Sequence, residues 1–168
     1  MADVGLTLYS EMLQKAIGRK ANTIDYIDET EMESITDISI PHNMINNIEE
    51  KLDIYRKIRF SRTDIDVDNI QKYLEDNYGV LPKSVENLLI HRKLQLHLSQ
   101  QRITKWQMKN QHIEIQLNEK NRVDIPRLIE NSQKGWNTRI LLNNRIVFTA
   151  KNHKDHKDYI KVRDLFIF

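Results

Sequence analysis

The sequence predicts an α+β fold in which a helical N-terminal half is followed by a small antiparallel sheet of hairpins packed on helices. Between residues 44 and 101, apolar residues recur every three or four positions, which is the period of an amphipathic helix. After Gln101 the apolar residues alternate with polar ones, and short polar connections separate the alternating stretches, as in β-hairpins. The change of period at Gln101 therefore separates a helical part from a sheet part.

The N-terminal elements are predicted to be one helix, one connector and one short strand. The stretch GLTLYSEMLQKAIGRK has helical spacing and ends at Gly18, a residue that suits a helix end. Residues 20–34 carry many acids and few large apolar groups, a composition typical of a loop or flexible connector. The stretch ITDISIP alternates imperfectly and ends at Pro41, which favours a short edge strand.

Three further helices are predicted between residues 44 and 101. The first lies in NMINNIEEKLDIYRKIRF, and the second lies in SRTDIDVDNIQKYLEDNYG, which opens with N-capping residue types and ends at Gly79. The third, in SVENLLIHRKLQLHLSQQ, follows Pro82 and has Ser84 as its expected cap. The apolar faces of the first two comprise Ile48, Leu52, Tyr55, Ile58, Ile65, Ile70, Tyr73 and Leu74.

The second half contains two predicted hairpins and two shorter elements. ITKWQM and HIEIQL flank a polar connection at Asn110, and WNTRILLNNRIVFTA turns at Asn143 and Asn144, a pair that tolerates positive φ. VDIPRLIENS predicts a short helix that is capped by Asp124 and has Pro126 in its first turn. The tail DYIKVRDLFIF predicts a closing helix or strand.

The composition limits the class of protein. A chain of 168 residues is about one domain long, and none of its apolar runs approaches the ~20 residues that a membrane span needs. Its first residues lack a basic leader followed by a long apolar core, so we expect no secretory signal. The absence of cysteine excludes disulfides, a thiol nucleophile and a thiolate metal site, and it favours a cytoplasmic location.

The sequence contains none of the following catalytic or metal-binding motifs. The 4 glycines are scattered and cannot form a phosphate-binding loop, and a G-x-S-x-G elbow is absent. Asp64, Asp66 and Asp68 alternate as in a calcium loop, but the glycine and the distal glutamate are missing, which favours helix capping. His153 and His156 share a helical face without a third ligand at fixed spacing. The residues therefore predict no enzyme, no metal site and no cofactor.

Charge is distributed unevenly along the chain. Residues 1–90 hold 17 acidic against 10 basic residues, and residues 91–168 hold 7 against 16, which agrees with the net charge of +2. The basic half could contact phosphates and stack an aromatic ring on bases, or the two halves could neutralise each other. The residues of this nucleic-acid alternative are Lys105, Trp106, Lys109, Lys151, Lys154 and Lys157.

The stretch YLEDNYGVLPKSVENLL places acids where a helix ends. Glu75 and Asp76 precede Gly79, although the carbonyl-rich end of a helix favours bases. From the residues alone, Asp76 is either a solvated acid at the helix end or part of a surface for a basic partner.

Five stretches in this order resemble the C-terminal domain of the bacterial transcription-repair coupling factors (Mfd): GLTLYSEMLQKAI, IP, KLDIYRKI, LEDNYGVLPKSVENLL and QRITKWQ. The resemblance extends from residue 5 to about residue 117, and the hairpin-rich remainder is similar only in pattern. The combination of stretches is specific, whereas no single stretch is.

The resemblance implies a non-catalytic fragment of a large ATP-driven DNA translocase that removes stalled RNA polymerase and recruits the excision-repair protein UvrA. Residues 1–20 would form the helix leaving the translocase module, residues 21–43 an acidic connector with a short strand, and residues 44–168 a compact C-terminal regulatory domain. ATP and magnesium would belong to the motor of the parent protein, and the fragment itself would need no cofactor. No membrane contact is implied.

The resemblance also implies a partner and a docking surface. The regulatory domain would dock on the N-terminal UvrA-binding module of the same protein and mask it until RNA polymerase is engaged. Asp76 matches an aspartate of the family motif, whereas Tyr73 stands where the family has another acid. The implied docking residues are Asp76, Glu75, Tyr73, Gly79, Leu81 and Pro82.

Overall fold

A computed structural model describes residues 29–109, 112–121, 123–152 and 154–166. The predicted helix that ends at Gly18 and the predicted turn residue Asn110 lie outside the described residues. In chain order the elements are β1 (Glu31–Met32), α1 (Ile48–Phe60), α2 (Asp64–Tyr78), α3 (Lys83–Gln100), β2 (Ile103–Lys109), β3 (His112–Leu117), α4 (Ile125–Gln133), β4 (Trp136–Leu141), β5 (Arg145–Ala150), a 3-10 turn (Asp155–Lys157) and α5 (Tyr159–Leu165).

The chain divides into two compact units. Among the described residues, the first unit comprises Asp37–Lys93, and the second comprises residues 29–36 and 94–166. The division falls inside α3, so that one helix contributes residues to each unit. The three segments expected from the resemblance, with boundaries after residues 20 and 43, stay a prediction.

Helix starts in the first unit follow local capping chemistry. The side chain of Asn47 accepts two backbone N–H groups of the first turn of α1. Thr63 and Asp66 form a capping box at the start of α2, which confirms the capping interpretation for Asp66. The expectation for Ser84 is wrong, because α3 begins at Lys83 and Ser84 therefore lies inside the helix.

The buried face of α2 differs from the predicted one. Val67 and Leu74 are buried, whereas Ile65 is 70% exposed. Ile65 and Leu74 are nine positions apart, which at 100° per residue places them on opposite sides of the helix. The sequence pattern therefore included an isoleucine that the helical geometry turns towards solvent.

The second unit contains a mixed five-stranded sheet with strand order β1-β2-β3-β5-β4. The two predicted hairpins are confirmed: β2 pairs antiparallel with β3, and β4 pairs antiparallel with β5. The α+β class is confirmed, but the expectation of a purely antiparallel sheet confined to the second half is wrong. The strand β1 precedes the helices in the chain and pairs parallel with β2, with Met32 opposite Trp106.

Thr30 attaches β1 to the second unit. Its N–H donates to Ser99 Oγ at 2.9 Å, and its hydroxyl donates to the carbonyl oxygen of Ile103 at 2.6 Å. Gln95 Nε2 donates to the Thr30 carbonyl oxygen at 3.0 Å. The expectation of a loop through residue 34 is therefore wrong for Glu31–Met32, because three buried or half-buried contacts fix this segment beside β2.

The predicted edge strand in residues 35–40 is absent, and this expectation is wrong. The Ile35 N–H donates to the hydroxyl of Tyr159 at 3.2 Å, and the Ile40 N–H donates to the hydroxyl of Tyr55 at 2.7 Å. Because side chains satisfy these backbone donors, the segment buries its isoleucines without joining a sheet.

Three predictions about the second half of the chain are confirmed, whereas Ile48, which was assigned to the apolar face of α1, is 55% exposed. Asn143 and Asn144 have φ values of 61° and 56° in the turn between β4 and β5. The Asp124 side chain accepts the N–H of Arg127 and caps α4. The closing element is a helix, α5, with Tyr159 among its buried residues.

Candidate docking site

The candidate site lies where α2 ends and the chain turns into α3, within the first unit. Gly79 has a φ of 77°, and its N–H donates to the Glu75 carbonyl oxygen at 2.9 Å. A Cβ added at Gly79 would meet nothing within 4 Å, so the turn requires glycine for its backbone conformation and not for space. The turn is thus set by a residue that the sequence identified as the helix end.

Leu81 and Pro82 fix the loop that follows Gly79. Leu81 is buried, and the Pro82 carbonyl oxygen accepts the N–H groups of Val85 and Glu86 at 2.9 and 3.1 Å. Val80, between them and the glycine, is 96% exposed. The loop therefore has a buried anchor, a proline at the entry to α3 and one apolar side chain that projects into solvent.

Glu75 and Asp76 give the end of α2 its negative charge. The last turn of α2 contains no basic residue. Gln71 Nε2 donates to Glu75 Oε1 at 2.8 Å, whereas Asp76 is exposed and has no hydrogen-bond or ion-pair partner among the described residues. Asp76 therefore presents an uncompensated carboxylate beside the helix carbonyls.

Tyr73 lies one turn before Asp76 and carries a cation on its ring. Tyr73 is 41% exposed, and Lys57 Nζ lies 5.3 Å from the centroid of its ring. The same ammonium group is 2.9 Å from Asp53 Oδ2, and this hydrogen bond raises the pKa of Lys57 and lowers that of Asp53. Position 73, where the resembled family has an acid, therefore presents an aromatic ring that binds a positive charge.

Tyr78 links the end of α2 to the start of α1. Its hydroxyl donates to Glu50 Oε1, and this hydrogen bond, together with burial, raises the pKa of Tyr78 to about 12. The sequence reasoning did not select Tyr78 or Glu50. The available signal was the helical spacing, since Tyr78 follows the buried Leu74 by four positions and so shares its side of α2.

The residues of the nucleic-acid alternative do not form a stacking surface. Trp106 is 1% exposed, so its indole cannot stack on a base, and its role in that alternative is wrong. Lys105 Nζ is 3.5 Å from Glu31 Oε2, and Lys151 Nζ donates to the Gln133 carbonyl oxygen at 2.8 Å. The other three lysines are Lys154 and Lys157, which are exposed, and Lys109, which lies in β2 with its side chain outside the described part.

Neither a metal site nor a membrane span is found among the described residues. No group of three or more histidine, aspartate or glutamate side chains is placed to hold a metal ion there. His153 and the side chain of His156 lie outside the described part, so the helical face that they are expected to share stays a prediction. No helix in the described ranges is long and apolar enough to cross a membrane.

The fold is that of a known repair-protein domain. A solved structure described as the C-terminal domain of transcription-repair coupling factor matches with a TM-score of 0.70 at 21% sequence identity. The match covers 83% of this chain and 91% of that one. A family model described as the TRCF domain matches residues 35–128, and the chain belongs to this family.

Two curated relatives support the same assignment, and both are named transcription-repair-coupling factor. The relative from Borreliella burgdorferi is 32% identical over 140 residues, which cover 82% of this chain and 12% of that protein. The relative from Bacillus subtilis is 33% identical over 104 residues, which cover 60% of this chain and 9% of that protein. The matched part is therefore a domain-sized portion of much longer proteins.

Proposed function

We propose that the chain is a non-catalytic regulatory domain of a transcription-repair coupling factor, called the parent below, and that it acts in the cytoplasm. It docks on the N-terminal UvrA-binding module of the parent and masks that module until RNA polymerase is engaged. The motor of the parent would bind ATP, magnesium and DNA. UvrA and RNA polymerase would be partners of this domain through the parent.

The observation that carries the proposal is the Asp76 carboxylate. It is exposed and unpaired among the described residues, and the Gly79 turn holds it at the carbonyl end of α2. A carboxylate there costs its own helix some tenths of a kcal/mol, because it adds to the negative end of the helix dipole. The same arrangement concentrates negative potential in one place, which suits a basic surface on a partner.

A weak interface is sufficient for a mask within one protein. Exposed ion pairs contribute ~0–1 kcal/mol each, so the separated pieces would bind loosely. A tether raises the effective concentration to roughly 1 mM, and a Kd of about 0.1 mM would then give a roughly tenfold excess of the docked state. Such an interface closes in the resting protein and can still open when another partner competes.

The direct test replaces Asp76 by arginine and measures docking on the separately produced N-terminal module of the parent by titration calorimetry. We expect Asp76→Arg to weaken the Kd about tenfold or more, because an attraction becomes a like-charge repulsion. Glu130→Arg is the matched control, since Glu130 is an exposed acid on α4 of the other unit. Equal binding by Asp76→Arg and the wild type at low and moderate salt would remove Asp76 from the interface.

The masking part of the proposal has its own test. UvrA and this chain should compete for the N-terminal module in a pull-down, because the proposal gives them one surface. Release of the chain as UvrA is added is the expected result. Formation of a ternary complex of the module, the chain and UvrA would refute masking even if docking is real.

A further inference from the structure

We propose that β4 is a self-association edge, along which a second copy of this chain adds its own β4 in antiparallel orientation to form one continuous sheet. β4 ends the strand order of the second unit and, among the described residues, pairs on one side only, with β5. An open edge presents a row of backbone donors and acceptors that another strand can use. The inference goes beyond the proposed docking, because it concerns a surface of the second unit.

The register of the β4–β5 hairpin shows which backbone groups point outward. The Lys151 N–H donates to the Gly135 carbonyl oxygen at 2.9 Å, in the same register as the rest of the hairpin. In an antiparallel pair, residues that bond to the partner strand alternate with residues whose N–H and C=O groups point away from it. The odd-numbered residues of β4 therefore bond to β5, and the N–H and C=O groups of Thr138 and Ile140 point to the open side.

The tip of this edge is apolar. Ile140 is 60% exposed and Leu142 is 85% exposed, and Leu141 between them is also exposed. The helix α4 contacts the preceding part of the strand, where the Thr138 hydroxyl donates to Ser132 Oγ at 2.5 Å. Three successive exposed apolar side chains beside an open edge mark a surface that gains free energy when a second surface covers it.

The opposite edge of the same sheet is protected. β1 pairs with Lys105 and Trp106 of β2, and beyond β1 the Glu33 carboxylate accepts the Met108 N–H at 3.4 Å. The pairing of β2 with β3 also has a register irregularity between Ile103 and Lys105. Covering strands, charged side chains and bulges are devices that prevent a sheet edge from pairing with another chain. β4 pairs with β5 without an irregularity and contains no proline and no lysine, so its edge keeps a form that accepts another strand.

The edge complements a second copy of itself. Antiparallel registers centred on Thr138, Arg139 or Ile140 keep the outward-pointing groups of the two strands opposite each other. A centre at Arg139 would place two like charges directly opposite, which is destabilising. A centre at Ile140 places the two isoleucines opposite each other, with Leu142 opposite Thr138 of the second copy and Leu141 opposite its Arg139. This register covers the apolar tips of both copies, and its two-fold symmetry closes the assembly at a dimer.

The contact is short, so the association should be weak. A strand of five or six residues is about 17–20 Å long. Stable complexes bury about 1,200–2,000 Å² in total, and a single strand edge with an apolar tip lies at the low end of interface sizes. We therefore expect a monomer–dimer equilibrium that moves towards the dimer as the chain concentration rises.

Sedimentation equilibrium of the 168-residue chain, at roughly 10 µM to 1 mM, measures this association over the range of weak complexes. The average mass should rise from 20.1 kDa towards twice that value. Ile140→Lys should weaken the dimer Kd about tenfold or more, because two-fold symmetry places the new charge opposite itself. Ile48→Lys is the matched control and should keep the wild-type Kd, since Ile48 is an exposed isoleucine of the first unit. Circular dichroism checks that both variants are folded.

A single introduced cysteine tests the register, because the chain has no cysteine of its own. A hydrogen-bonded antiparallel pair has Cα atoms about 5.5 Å apart, a separation that a disulfide can join. With copper phenanthroline as oxidant, Ile140→Cys should give a disulfide-linked dimer, and Ile48→Cys should give far less of it.

Each outcome decides one part of the proposal. A wild-type mass that stays at 20.1 kDa over the whole range would refute self-association. A dimer that Ile140→Lys leaves unchanged would refute its assignment to the β4 edge. Equal cross-linking of Ile140→Cys and Ile48→Cys would refute the register centred on Ile140. These measurements use this chain alone, so their results are independent of the proposed docking.

Discussion

Burial of His91 predicts a loss of stability in mild acid. His91 lies in α3 within the first unit, and burial lowers its pKa to about 4, with the charge of Arg92 acting in the same direction. The folded state therefore holds the neutral imidazole, whereas the unfolded chain binds a proton near pH 6.5. The perturbation that tests this is His91→Gln, which keeps polar atoms in place and removes the titration.

The sign and the size follow from linkage. Because the folded pKa lies below the unfolded one, the unfolded state binds more protons between pH 4 and 6.5, and stability falls as the pH falls through this window. At 1.36 kcal/mol per pKa unit, the wild type should lose roughly 2–3 kcal/mol of unfolding free energy between pH 7.5 and 4.5. The lowered pKa values of Asp53 and Asp66 remove stability only below about pH 4, because their unfolded value is 3.8.

The assay is urea unfolding followed by far-UV circular dichroism at pH 7.5 and 4.5. This signal is chosen because the helices of the first unit contribute to it, whereas both tryptophans, Trp106 and Trp136, belong to the second unit. His91→Gln should cancel most of the pH-dependent loss, whereas the exposed His42→Gln should leave it unchanged. An identical loss in the wild type and in His91→Gln would refute the assignment of the acid sensitivity to this buried imidazole.

Two further changes test contacts that hold the fold. Tyr55→Phe should cost about 1–3 kcal/mol in urea unfolding, because the buried Ile40 N–H loses its acceptor; an unchanged midpoint would contradict this role. Arg102→Gly should raise the Tm by about 2–4 °C, since Arg102 has a φ of 58° after α3, a conformation that costs a non-glycine residue about 1 kcal/mol. Calorimetry measures the Tm. A lower Tm would show that the Arg102 side chain contributes more stability than its backbone conformation costs.

The helix and hairpin boundaries could be predicted because their causes are local. Thr63 and Asp66 start α2, Gly79 ends it, and Asn143 with Asn144 turns one hairpin, each through bonds or dihedrals within a few residues. Such signals survive in a sequence read alone, since they need no knowledge of distant partners. The α+β class followed from the same local periods.

The errors arose where distant contacts decide the structure. The parallel pairing of Glu31 with Lys105 joins residues far apart in sequence, and a two-residue strand has no period that a pattern can detect. The isoleucines at residues 35–40 suggested a strand, but the N–H groups of Ile35 and Ile40 donate to tyrosine hydroxyls and not to a neighbouring strand. In the candidate docking site, Asp76 and Gly79 were selected from the sequence motif, whereas the Tyr78–Glu50 bond and the Lys57–Tyr73 contact depend on how two helices face each other.

The attachment of Thr30 and β1 determines how the domain should be cut for deletion mapping. The matched family region begins at residue 35, and Thr30, β1 and Glu33 all precede it. A fragment starting at residue 35 would lack the hydrogen bonds that Thr30 and Glu33 make to Ser99, Ile103 and Trp106. The edge of β2 would then be unpaired. An open sheet edge is a cause of failure other than a missing contact in any test of the proposed docking, so truncations meant to map binding should begin upstream of residue 29.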